Sequence, residues 1–149
     1  MDPLSITAAC VALTTTVAKT SSLVTTFVRS VRAARSDLDG ILRELASLAT
    51  LLELIAEDTK DIKALPETLR RQIAGILSNC QIVLVALQQL VDKFNGSGVV
   101  RASKWTLAGS EDATKLRLSL EAHKSALEIA LEMVTLYVVT LLLPEDGNI

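Results

Sequence analysis

PLSITAACVALTTTVAKTSSLVTTFV, residues 3–28, contains a single charged side chain, Lys19, in a background of Leu, Ile, Val, Ala, Cys, Phe, Ser and Thr. As a helix this stretch would reach about 39 Å at ~1.5 Å per residue. That exceeds the ~20 residues a bilayer core requires. Ser and Thr are frequent, however, and the apolar residues also fall in rows one heptad apart, Leu4, Val11 and Ala18 in one, Val17, Val24 and Val31 in the next. The segment is therefore suited to a protein core or to a lipid core, and the fold depends on which neighbours can cover it.

Outward from this stretch the helix signals are explicit. Asp2 before Pro3 reads as an N-cap with proline at the first helical position, where its missing N–H costs nothing. The first helix is expected over 3–33, its last turns carrying Arg29, Arg32 and Arg35 against the negative end of the helix dipole. Ser36 and Asp39 suggest a capping box opening a second helix over 36–58. Within it Leu38, Ile41, Leu42, Leu45, Leu48, Ala49, Leu52 and Ile55 repeat on one face.

Pro66 opens a third helix, 66–94, with Leu69, Ile76, Val83, Leu90 in one heptad series and Ile73, Cys80, Leu87, Phe94 in the other. Asn95-Gly96-Ser97-Gly98 should stop it. A short irregular or helical segment around Trp105 comes next, and Trp105 is expected as a lid over one end. Ser110 then caps a last helix over 110–143, apolar nearly all round from Met133 to Leu143 and ended by Pro144. Four long helices with short connections predict an all-α, antiparallel four-helix bundle spanning 1–149 as one domain.

Composition fits that fold. Half of the 149 residues are hydrophobic, but the aromatic ones are only Phe27, Phe94, Trp105 and Tyr137. Such a core favours helix-on-helix packing over sheets. A net charge of −2 argues against nucleic-acid binding. Cys10 and Cys80 both fall on apolar helix faces and read as buried reduced thiols, in keeping with a cytoplasmic protein. The start lacks the positive n-region of a secretory leader, and no lipidation motif is expected. His123 is the sole histidine, so neither a di-iron centre nor a zinc site can be assembled from the usual donor sets, and no Ser or Cys occupies a nucleophile elbow. No enzyme activity, metal or cofactor is expected.

Four stretches together resemble a known family: Met1-Asp2-Pro3-Leu4-Ser5-Ile6-Thr7-Ala8; the Ser22-Leu23-Val24 run leading to Phe27-Val28-Arg29-Ser30-Val31; the pair Lys104-Trp105; and Leu120-Glu121-Ala122-His123-Lys124-Ser125-Ala126-Leu127. In order and spacing they are similar to the HeLo-like N-terminal domains of fungal STAND, or NLR-like, receptors. The resemblance implies a helical cell-death effector that oligomerises with itself, frees its N-terminal helix and helps permeabilise the plasma membrane. Carried onto this chain, Leu4, Ile6, Val11, Leu13, Val17, Val24, Phe27 and Val28 become the inserting or oligomerising residues. Arg29, Arg32 and Arg35 become a basic collar for anionic lipid. Lys19 and the Thr14-Thr15-Thr16 run depart from a committed spanning helix, so insertion is expected of assembled copies rather than of one. The alternative is an adaptor that binds helical protein partners through its first helix or the apolar end of its last.

Overall fold

The computed structural model describes residues 3–95 and 100–143. Asp2, Gly96, Ser97, Gly98 and Pro144, assigned above as caps and stops, lie outside the described residues, as does the side chain of Leu4. The fold is all-α, with no strand among the described residues. Its elements are α1 (Pro3–Ser30), a 3-10 turn (Arg32–Ala34), α2 (Arg35–Thr59), α3 (Glu67–Lys93), α4 (Val100–Lys104), a π-helical turn (Trp105–Gly109) and α5 (Ser110–Leu142).

Packing follows the seams. In α2, Leu38, Ile41, Leu45, Leu48, Leu52 and Ile55 are all fully buried; in α3, Leu69, Ile73, Cys80, Val83, Leu87 and Leu90 are buried with Phe94 just beyond. α1 packs on α2 and α3, and α5 packs on the same two, so α1 and α5 occupy opposite corners of the bundle. Hydrogen bonds fix the directions. The Thr7 and Thr59 hydroxyls meet at 2.8 Å, pairing the start of α1 with the end of α2. Ser110 Oγ donates to Asp37 at 3.0 Å and Thr135 Oγ1 to Asp58 at 3.2 Å, so α2 and α5 run parallel. Helices joined by direct connections are antiparallel, and the connection from α2 to α3 crosses the diagonal.

Three boundaries differ from the sequence expectation. The first helix stops at Ser30 rather than at residue 33, because Val31 leaves the helical region (φ −124°, ψ 85°). That turn puts both Val31 and Ala34 into the core while the chain reverses. Ser36 is not a cap: α2 begins at Arg35, behind Ala34, with no side-chain cap. Nor is Ser110 an N-cap, although α5 begins at that residue. The helix runs through the π turn, where the Ser110 N–H donates to the Trp105 carbonyl, and the hydroxyl is spent on Asp37 instead.

The π turn carries the lid. Trp105 is fully buried, with its ring 5.3 Å from Phe27 and 5.5 Å, edge-on, from Phe94. Its indole N–H donates to Asp37 Oδ2 at 2.9 Å. Gly109 lies directly beneath the ring, where a Cβ would stand 2.4 Å from Trp105 Cε3. Asp37, accepting from Trp105 and Ser110 together, ties α2 to the lid and to α5.

Candidate functional site

α1 buries one row and exposes the other. Ile6, Leu13, Val17, Val24 and Phe27 are buried, Val28 is half-buried, and Val11 is 56% exposed. The residues assigned to insertion therefore do not share a surface. The row through Val17, Val24 and Val31 faces the core and the row through Val11 and Ala18 faces solvent. Polar residues of α1 are largely satisfied within the helix itself. Thr14, Thr15, Thr16, Thr20, Thr25 and Ser30 each donate to the carbonyl four residues earlier, at 2.8–3.3 Å. Side-chain hydrogen bonds tie α1 to its neighbours through Thr7, shared with Thr59, and through Thr20, whose Oγ1 accepts from Gln88 Nε2 at 2.9 Å. Burial of apolar surface does the rest.

At the C-terminal end of α1 the chain breaks at Val31, and three arginines around the break share one groove. Arg29, Arg32 and Arg35 are exposed and line one groove of about 510 Å³, with Thr25, Asp39 and an apolar floor of Val28 and Leu42. Arg35 Nε lies 3.8 Å from Asp39 Oδ2, a loose pair between two exposed groups. Arg29 and Arg32 make no ion pair among the described residues. Three guanidiniums over an apolar floor can take a phosphate-bearing anion with a greasy neighbour.

The far end is built differently. α5 outlasts α2, since Thr135 is already level with Asp58, and beyond it only Tyr137 and Val138 still pack against the core. Leu136, Leu141, Leu142 and Leu143 are all more than half exposed. Tyr137, Val138, Leu141 and Leu142 form one wall of a groove of about 650 Å³ whose other wall is Glu57 to Ala64. Leu118, Ile129 and Met133 extend the exposed apolar surface up the outer side of α5. The sequence marks an apolar helix there but does not single out this outward stripe; residues 118, 122, 125, 129, 133, 136, 140 and 143, at helical spacing, are its signal.

Among the described residues two helices are long and apolar enough to cross a bilayer by length and composition alone, α3 and the run Ala102–Leu142, and a core helix of a soluble protein passes the same test. α1 is not among them. Burial pushes the Cys10 thiol up to about 12, with the nearby Cys80 adding to it, and burial pushes Cys80 up to about 11. Both are unreactive while the bundle is closed. His123 Nε2 sits 3.3 Å from Ser119 Oγ on the flank of α5, and Lys124 pairs with Glu44 at 2.6 Å across to α2. Its hydrogen bond to Glu44 raises the Lys124 pKa.

The chain is thus an all-α bundle with a basic groove at one end and exposed apolar helix faces. The chain belongs to the family described as pigment biosynthesis cluster protein PigL N-terminal, whose model matches residues 1–142. This is a fungal N-terminal helical-domain family, which agrees at that coarser level with the HeLo-like resemblance. No curated protein and no solved structure matches the chain.

Proposed function

We propose that the chain is the effector domain of a fungal NLR-like cell-death protein, cytoplasmic at rest and active at the plasma membrane. On activation copies assemble, α1 leaves the bundle, and Arg29, Arg32 and Arg35 hold anionic headgroups where it enters the bilayer. The observation that carries this reading is the pairing of a helix six of whose hydroxyls donate to its own backbone with three exposed arginines at its end. Those six hydroxyls would keep their partners in lipid, while Lys19 would need water or a neighbouring copy. Lys19 and the Thr14-Thr15-Thr16 run fit assembled copies better than a lone one.

The test is dye leakage from phosphatidylserine-containing vesicles. Val11→Glu is the informative variant, because Val11 faces solvent in the bundle and its replacement leaves the fold intact, whereas a charge at the fully buried Val24 would unfold it. Leakage by the native chain, abolished by Val11→Glu and by R29E/R32E/R35E together, is the expected result. Vesicles that stay sealed with the native chain, or leak equally with both variants, overturn the reading. A second reading, a non-enzymatic adaptor that binds protein partners, draws on the exposed stripe of α5, and partner binding without vesicle leakage would favour it.

A further inference from the structure

We propose that copies of this chain associate head to tail, the outer face of α5 in one copy packing on the outer face of α1 in the next. The inference rests on the reading that the domain assembles, and it names the surfaces that join copies while α1 is still seated in the bundle, before its release. The outer face of α5 is a ridge, with Leu118 55%, Ile129 61%, Met133 48% and Leu136 68% exposed along one line. The outer face of α1 is a track of exposed small residues, Ala8, Ala12, Thr15, Ser22 and Thr26, at helical spacing, with the exposed Lys19 standing at its centre where an acid of α5 can meet it. Large side chains on one helix and small ones on the other let two helix axes approach closely.

Charge selects the second copy as the occupant. From Leu118 onward the outward charges of α5 are Glu121, Glu128 and Glu132, for Lys124 is turned into its pair with Glu44. The charges of α1 are Lys19 and Arg29, both positive and both exposed. Packing α5 on α5 would set acid rows against each other, and α1 on α1 would oppose cations with little apolar surface between them. Only the unlike pairing matches both shape and sign. Because α1 and α5 stand at opposite corners, each copy can engage two neighbours at once. Such a heterologous contact repeats into a ring or a filament instead of ending at a dimer.

Sedimentation velocity of the whole chain at low salt, over rising concentration, tests this with two charge-reversed variants. E128K/E132K makes both faces basic, and K19E/R29E makes both acidic. All four positions are exposed, and unchanged thermal unfolding checks that each variant is folded. The native chain should grow beyond a dimer. Each variant alone should associate roughly tenfold more weakly or worse, and an equimolar mixture of the two should regain assembly, since each then offers what the other lacks. A native chain that stays monomeric throughout overturns the assembly reading and this interface together. Native assembly that ignores both reversals, or that mixing does not restore, overturns this interface and leaves the assembly reading standing.

Discussion

The two ends of the bundle are closed by different means. Where α1 ends and α5 begins, Trp105, Phe27 and Phe94 interlock, Gly109 admits the indole ring, and Asp37 accepts from two elements. Every long helix contributes to that plug. Where α1 begins, the Thr7 and Thr59 hydroxyls meet without any aromatic cluster around them, and α5 runs on past α2 with its leucines in water. On the function proposed above, the contrast would give α1 a direction of release, peeling from its N-terminus with the turn at Val31 as the hinge and the plug as the anchor. The basic groove would then stay beside the anchor, with its arginines on the membrane surface.

The largest effect expected from breaking this contrast is at the plug. Trp105→Ala removes a fully buried indole, its two ring contacts and the partner of Asp37, and should cost about 3–5 kcal/mol in urea unfolding. An intact midpoint would mean that the aromatic cluster does not anchor the bundle. Gly109→Ala is smaller but sharper, for it adds one methyl group and nothing else. With the ring already where a Cβ would collide, the indole must shift, and a loss of about 1–3 kcal/mol is expected. The native emission of Trp105, the sole tryptophan, should move to the red in step.

Much of the fold is legible in the amino-acid order, and the exceptions have physical causes. The α2 and α3 seams are plain because charged residues mark their outer faces, and Trp105 reads as a lid because a lone large aromatic in a Leu-rich chain needs a large buried site. α1 is harder. Its residues are nearly all small or apolar, so the row through Val11 and the row through Val17 look equally fit for the core, and only the neighbours decide. Ser36 and Ser110 carry cap signals that local sequence supports, yet tertiary packing through Trp105 and Asp37 carries the helix past Ser110 and claims its hydroxyl. The groove shared by Arg29, Arg32 and Arg35 lies around a break at Val31 that no glycine or proline announces. The outward stripe of α5 is obscured because the inward face is equally apolar.

The smallest effect belongs to the open end, and it is the one that makes the contrast quantitative. Leu142 is 78% exposed in the last turn of α5, so its side chain is nearly as hydrated folded as unfolded. Leu142→Ser should change stability by no more than about 0.5 kcal/mol, the small helix-propensity difference being muted where the helix frays. The same exchange at the fully buried Leu127 would forfeit a core side chain and bury a hydroxyl as well. If Leu142→Ser instead lowers the urea midpoint, and does so more at high protein concentration than at low, the α5 end is covered in solution by another copy. An effect of equal size at every concentration would mean that the tip packs within its own chain, and the contrast between the two ends would fail.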